Sequence, residues 1–275
     1  MTPWVSVLVP AHDEEQVIGR CLKALLAGVD VTGVEVLVVA NGCTDRTAQV
    51  ARLHGADVLE VATASKVGAL RAGDEMLATL PRVYLDADVV LGPGALQALA
   101  RELASDLPRV GAPRAIFRTE GRPWVVRSFY EAYTRLPYVS GEMVGSGVYA
   151  LSAAGRARFD TFPDLTADDL FVQRLFSSSE TFVLPDVSFT VETPRTVKGL
   201  LAVRTRTARG NRQMASQGGP SSVSSTGSTV KALVTMVRAE PRIAISAGLY
   251  VAVTVLARWR SRRSGLMWDR DTSTR

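Results

Sequence analysis

Cysteine is scarce in this chain: Cys21 and Cys43 are the only two in 275 residues. Two thiols cannot make a disulfide framework, and Cys21 falls on the apolar face of an expected helix. Both are read as reduced and the protein as intracellular. A charged start followed by a short apolar run is missing, so no secretory signal is expected. No Gly-x-Gly-x-x-Gly follows the first expected strand and no lysine-bearing Walker loop is present, which argues against a dinucleotide or P-loop site. Nucleic acid is not an expected partner, because the chain lacks a reader motif and an aromatic-rich basic stretch. The formal net charge is nevertheless +5. The excess crowds the last third, in Arg195, Lys198, Arg204, Arg206, Arg209 and Arg212 and again in Arg258, Arg260, Arg262 and Arg263. Such a distribution suits a phosphate-rich ligand or an anionic membrane.

What is present is a regular alternation of apolar, β-branched runs with helical patterns. Trp4 to Val9, Val34 to Val39, Asp57 to Val61 and Arg82 to Leu85 read as buried strands. Between them, Val17, Ile18, Cys21, Leu22, Leu25 and Leu26 recur at helical spacing, and further helices are expected from Ala48 to Leu53 and from Lys66 to Leu80. Asp13 is a plausible N-cap, with Glu14 and Glu15 in a first helical turn. Four strands alternating with three helices in about 90 residues is the pattern of a doubly wound, mostly parallel α/β sheet flanked by helices. The loops at the carboxyl ends of such strands share one edge of the sheet, where open α/β sheets bind ligands. Here those loops carry Asp13, Glu14, Asn41, Asp45, Asp86 and Asp88. Asp86 and Asp88 offer hard oxygen donors of the kind that suit Mg²⁺ or Mn²⁺ with a substrate phosphate. An isolated Asp-x-Asp reads equally well as a solvated strand end. The convergence of several acidic loops is what argues for a site.

The second half is less regular. Helices are expected over Pro93 to Leu107 and Trp124 to Leu136, and strands over Val110 to Arg118, Val148 to Leu151 and Ser188 to Glu192. Gly145-Ser146-Gly147 lets a backbone approach closely. Pro163 to Asp169 reads as a loop into a helix, Val197 to Gln213 as a basic helix, and Gln217 to Ser228 as a Gly/Ser linker. Three segments follow from this: 1–108, 109–215 and 216–275. Pro241 to Ala257 is apolar over about 17 residues, the short limit for a membrane crossing. Packing within the protein, or lying in the membrane interface with Arg258, Trp259 and Arg260 at headgroup level, ranks above spanning.

The motifs, taken together and in order, resemble family 2 glycosyltransferases of the GT-A fold, over about Val5 to Asn211. Pro10-Ala11-His12-Asp13-Glu14-Glu15 resembles the family's first nucleotide-binding loop and Val38 to Asp45 its second. Lys66-Val67-Gly68 resembles its Gly/Lys-rich helix start, and Asp86-Ala87-Asp88 its metal motif. Gly145-Ser146-Gly147 and Asp168-Asp169 fall at its acceptor-side glycine loop and acidic pair. The resemblance implies an enzyme that moves one sugar from a UDP-, GDP- or dTDP-sugar to an acceptor hydroxyl with inversion. The expected location is cytoplasmic, and peripheral at the inner face of the membrane if the C-terminal helix lies in the interface. The acceptor is unidentified; one carried on a lipid would fit the apolar C-terminal helix. In that reading Asp88 and Asp86 hold Mn²⁺ or Mg²⁺, Asp169 is the general base, and Asp168 is its neighbour. Pro10, Ala11, His12, Glu14, Asn41, Lys66 and Asp86 meet the nucleotide, with His12 giving backbone rather than ligating metal. Arg206 and Arg209 reach toward the diphosphate, and Gly145, Ser146 and Gly147 lie on the acceptor side. Relatives commonly carry an acidic pair where this chain has Ala40-Asn41, which leaves the base open. The chain also lacks the Gln-x-x-Arg-Trp of processive synthases. A lapsed, non-catalytic nucleotide-sugar or membrane-binding module and a nucleotidyltransferase are the competing readings. The first draws on Ala40-Asn41; the second is disfavoured because Pro10 to Glu15 has neither glycine nor a basic residue.

Overall fold

The computed structural model describes residues 3–140, 147–165, 167–216 and 226–263. In chain order the first elements are β1 (Val5–Ala11), α1 (Ile18–Leu25), β2 (Val34–Asn41), α2 (Thr47–Leu53), β3 (Asp57–Val61) and α3 (Lys66–Met76). Then come β4 (Arg82–Leu85), β5 (Val90–Leu91), α4 (Ala95–Leu103), β6 (Val110–Arg118), α5 (Trp124–Tyr133) and α6 (Pro137–Ser140). The chain continues with β7 (Val148–Leu151), α7 (Ala153–Arg156), α8 (Asp168–Arg174), β8 (Thr181–Glu192), α9 (Val197–Ser216), α10 (Thr226–Ala239) and α11 (Ala244–Arg263). The strands form one mixed sheet in the order β3-β2-β1-β4-β7-β6-β8-β5. The chain divides into two compact units, Met1–Ile116 with Gly145–Val191, and Phe117–Val144 with Glu192–Arg275.

In the first unit, β1, β2, β3 and β4 run parallel, with Val5 beside Val34, Leu37 beside Asp57 and Leu8 beside Tyr84. Every residue of β1 and β4 is buried, and six of the eight in β2 are. Burial of successive residues on both faces, in strands that are mostly apolar, belongs to a sheet covered on both sides. Ile18, Cys21, Leu22 and Leu25 of α1 bury one face against that sheet. Helix α3 starts at a Ser65 cap whose hydroxyl accepts from the Gly68 N–H at 3.0 Å. It approaches β1 closely, since a Cβ on Gly73 would fall 2.2 Å from Leu8 Cδ1. Strand β7 then enters antiparallel to β4, with Leu85 beside Val148. Its first residue therefore lies at the carboxyl edge of the parallel strands.

One sequence expectation fails here. Asp13 does not cap α1, which begins five residues later behind Val17 and has no side-chain cap. Instead Asp13 adopts φ +51° and its Oδ1 accepts from the Thr44 N–H at 2.7 Å. The Glu14 N–H likewise donates to Thr47 Oγ1 at 2.7 Å. The polar residues after β1 satisfy the loop after β2 rather than their own helix. The first two loops of the edge are thereby tied together.

In the second unit, α5 packs Val126, Phe129, Tyr130 and Tyr133 with Leu200 of α9, Leu233 of α10, and Tyr250 and Val253 of α11. Phe129 stacks on Tyr250 at 5.4 Å, and the Arg204 guanidinium lies over the Tyr133 ring at 5.1 Å. Helix α10 is not expected from the sequence, and its first three residues fall in the Gly/Ser stretch that reads as a linker. Among the described residues one helical stretch, Pro241–Arg262, is long and apolar enough to cross a membrane, and a third of its most apolar window is buried. Ile245, Val251, Val255, Leu256 and Trp259 of α11 are exposed.

Candidate active site

The parallel register brings the loops after β1, β2, β3 and β4 to one edge, and a small depression opens there. It is lined by Pro10, Lys66, Leu70, Tyr84, Leu85, Asp86, Gly147, Tyr149, Asp168 and Asp169. At its centre the Lys66 ammonium bridges two carboxylates, Asp86 Oδ1 at 2.8 Å and Asp168 Oδ1 at 2.9 Å. Lys66 is the first residue of α3, Asp86 follows β4 directly, and Asp168 and Asp169 open α8. Residues about 80 and 100 positions apart in the chain meet through one side chain. Burial alone would make the Lys66 ammonium easier to deprotonate. The carboxylates of Asp168 and then Asp86 outweigh that and hold it protonated well above the ordinary lysine range.

Asp168 is buried, and its Oδ2 accepts from the Tyr149 hydroxyl at 3.1 Å. Asp169 is half-buried, and its Oδ1 accepts from the Leu170 N–H at 2.7 Å. Burial first, and the neighbouring Asp168 charge second, push its carboxyl up to about 6, with Lys66 pulling the other way. The two acids thus differ in use: one is held by a lysine and a tyrosine, the other carries a raised proton affinity.

The start of α8 is held by three supports. Arg71 on α3 donates through Nε to the Phe162 carbonyl at 2.7 Å and pairs with Asp164 at 2.9 Å. Phe162 packs edge-on against Tyr84 at 5.4 Å, and Tyr84 stacks on Tyr149 at 4.8 Å. Beneath them Asp74 accepts from the Tyr84 hydroxyl at 2.8 Å and pairs with Arg82 at 2.6 Å and Arg156 at 3.0 Å. Tyr84, Tyr149, Asp74 and Arg71 escape the sequence reading. The available signal was a tyrosine in each of two short buried strands, whose hydroxyls require partners, and an arginine beside one of them in β4.

The remaining predicted residues are placed as follows. Asp88 is exposed on the loop after β4. Gly147 has φ +97°, and its carbonyl accepts from the Asp86 N–H at 2.7 Å. A Cβ there would lie 3.0 Å from Asp86 Oδ2 and 2.7 Å from Val89 Cγ2, so the glycine keeps the flank of Asp86 clear. That open flank and the all-carboxylate donor set of Asp86 and Asp88 fit a hard divalent cation. Gly145 and Ser146 lie outside the described residues. Asn41 is buried, with its Nδ2 donating to the Ala11 carbonyl at 2.7 Å and its Oδ1 accepting from the Ser65 N–H at 3.1 Å. Its amide ties the loop after β1 to the cap of α3. His12 Nδ1 donates to the Asn41 carbonyl at 2.6 Å, and Glu14 is partly buried on the same loop. Arg206 and Arg209 belong to α9 in the other unit.

The profile of glycosyltransferase-like family 2 matches residues 3–210. The chain belongs to this family. An uncharacterized glycosyltransferase of Mycobacterium tuberculosis is 36% identical over 124 residues, covering 45% of this chain and 54% of the relative. The 4,4'-diaponeurosporenoate glycosyltransferase of Staphylococcus aureus is 26% identical over 169 residues, 59% of this chain and 43% of the relative. The chain thus spans about half the length of the curated relatives it matches. Among solved structures, a mannosyltransferase from Pyrobaculum calidifontis in complex with GDP-Man and Mn²⁺ superposes with a TM-score of 0.67. It is 18% identical, and the match covers 96% of this chain and 88% of that one. Glucosyl-3-phosphoglycerate synthase from Mycobacterium tuberculosis, in complex with Mn²⁺ and UDP-glucose, gives 0.51 at 21% identity, covering 79% and 80%. The mixed α/β sheet of this family 2 chain is the GT-A fold of these neighbours.

Proposed function

We propose that the chain transfers a single sugar from a nucleoside-diphosphate sugar to an acceptor hydroxyl with inversion at the anomeric carbon. The observation that carries this reading is the ion cluster of Lys66, Asp86 and Asp168 with Asp169 beside it, at the ligand-binding edge of a family 2 fold. Inversion by a single displacement asks two things of the protein. Negative charge growing on the leaving diphosphate must be balanced, and the attacking hydroxyl must give up its proton.

Asp86 and Asp88 are the residues that would hold Mg²⁺ or Mn²⁺. Bound there, the ion supplies balancing charge for the diphosphate. Lys66 fixes the Asp86 carboxylate and adds a cation of the protein's own at the same edge. Asp169 takes the acceptor proton as the oxygen-to-carbon bond forms and the carbon-to-phosphate-oxygen bond breaks. Its raised proton affinity makes it a better base than an ordinary carboxylate, yet it is still ionised at neutral pH. Asp168, held by Tyr149 and Lys66, keeps the start of α8 oriented toward the reaction. Pro10, Ala11, His12 and Glu14 supply the loop for the nucleoside. Asn41 serves by shaping that loop from behind, since its amide is engaged with Ala11 and Ser65. GDP- and UDP-sugars both occur in the structural neighbours, which supports a nucleoside-diphosphate sugar as the donor class.

Donor hydrolysis tests the stereochemistry without knowledge of the acceptor. Incubated with Mn²⁺ and its cognate donor, the protein should release sugar slowly to water. Proton NMR should show the first-formed sugar with the anomeric configuration opposite to the donor. First-formed sugar of retained configuration would refute the single-displacement reading.

A further inference from the structure

Three side chains on the first two loops form a donor set that the transfer reaction leaves unused. The imidazole of His12, the carboxylate of Asp13 and the thiol of Cys43 each offer one ligand atom, all within 4.8 Å of one another. His12 Nε2 is 3.8 Å from Asp13 Oδ2, and the Asp13 N–H donates to Cys43 Sγ at 3.4 Å. In a tetrahedral site with metal–ligand bonds of about 2.0–2.3 Å, ligand atoms stand roughly 3.3–3.8 Å apart. Small rotations of the side chains reach that spacing.

Two of the three ligands are also supported from behind. A carbonyl only accepts, so His12 Nδ1 must carry the proton in its 2.6 Å contact with the Asn41 oxygen. In the neutral ring the Nε2 lone pair is then the one on the Asp13 side. A histidine fixed through its other nitrogen by a backbone carbonyl is the usual arrangement behind a metal ligand. The Asn41 carbonyl is itself steadied, because the Asn41 amide is bonded to Ala11 and Ser65. The Asp13 carboxylate is oriented by its Oδ1, which accepts from the Thr44 N–H at 2.7 Å and the Thr44 hydroxyl at 3.2 Å. Cys43 is partly exposed and not in a disulfide.

We propose that His12, Asp13 and Cys43 form a three-ligand site for a thiophilic divalent cation of the Zn²⁺ class, bridging the loops after β1 and β2. The donor set is one imidazole, one carboxylate and one thiolate, which favours Zn²⁺ or Co²⁺ over Mg²⁺. It is chemically separate from the all-oxygen pair Asp86 and Asp88. On binding, the Cys43 S–H bond breaks, its proton goes to solvent, and the sulfur binds the cation. The thiolate and the Asp13 carboxylate then neutralise the two positive charges, and a fourth position stays open to water. The sequence alone hid this, because His12 and Cys43 are 31 positions apart and meet only through the parallel pairing of β1 and β2.

Cobalt absorption of the full chain tests the site without any donor, so its outcome is independent of the transfer reading. Titrated with Co²⁺ under reduction, the wild type should develop a thiolate-to-cobalt charge-transfer band with visible bands of tetrahedral cobalt, saturating near one equivalent. Excess Zn²⁺ should bleach both, and excess Mg²⁺ should not. Cys43→Ser should abolish the charge-transfer band, while Cys21→Ser keeps it, because Cys21 is buried on the core-facing side of α1. His12→Ala should weaken Co²⁺ binding by about tenfold or more. Circular dichroism confirms that each variant is folded. The proposal is overturned if the wild type shows no such band at millimolar Co²⁺, if the band survives Cys43→Ser, or if Mg²⁺ removes it.

Discussion

Asp169→Asn is expected to lower the transfer rate by ~10²–10⁴-fold, the usual range for loss of a general base. The substitution is nearly isosteric, and an Asn oxygen can still accept the Leu170 N–H that Asp169 accepts now. The fold and the start of α8 should therefore persist, and the loss should fall on kcat with the donor KM little changed. The pH profile distinguishes a base from a bystander. The Asp169 carboxyl is pushed up to about 6, so wild-type activity should fall below that pH as the group takes a proton, approaching about tenfold per pH unit. Above pH 7 the same group is ionised and the profile should flatten on its account. In Asp169→Asn the acid limb should vanish together with most of the rate. A variant that keeps the wild-type limb would show that another group titrates in the reaction.

Asp74→Ala should cost about 3–5 kcal/mol of stability, the largest effect expected from a single change outside the reacting groups. The Asp74 side chain is 6% exposed and Arg82 is 4% exposed. Asp74 faces two guanidiniums, at 2.6 Å from Arg82 and 3.0 Å from Arg156, and also accepts from the Tyr84 hydroxyl. Removing it leaves two cations close together in the interior and strands a buried hydroxyl. Arg82 would retain Ser6 and the carbonyl of Leu77, which hold the side chain but do not balance its charge. Urea unfolding followed by circular dichroism reads the loss as a lower midpoint. Asp74→Asn keeps the shape and part of the hydrogen bonding and should fall between wild type and Asp74→Ala. Because Tyr84 stacks on Tyr149, and Tyr149 holds Asp168, the same network joins the stability of the fold to the posture of the candidate site.

How far the sequence could be read depended on whether the signal was local. Strands β1, β2 and β4 announced themselves as mostly apolar, β-branched runs broken only by single polar residues such as Ser6, Glu35 and Arg82, and their parallel order followed from the helices between them. Helix α10 did not, because its first turn, Thr226-Gly227-Ser228, continues the composition of the Gly/Ser stretch before it. Asp13 and the two glutamates after it match a helix start by residue type. The nearer demand, however, was the unsatisfied backbone of the loop after β2, a contact across 31 residues that local propensity does not contain. Lys66 illustrates the same limit at the site. Read alone it is a solvated helix start, and its meaning comes from two carboxylates delivered by β4 and α8. Asn41 reads as a base-recognition residue by its position in the second loop. Its burial in the fold turns the amide toward Ala11 and Ser65.

Sugar transfer by this chain requires a donor site at the carboxyl edge of β4. Thermal unfolding of the wild type and of Asp88→Ala, with UDP-, GDP- and dTDP-sugars and with and without Mn²⁺, tests it. The expected result is a Mn²⁺-dependent rise in Tm with the sugars of one nucleotide, lost in Asp88→Ala, as binding to the folded state requires. No shift with any donor in the presence of Mn²⁺, or an undiminished shift in Asp88→Ala, would contradict it.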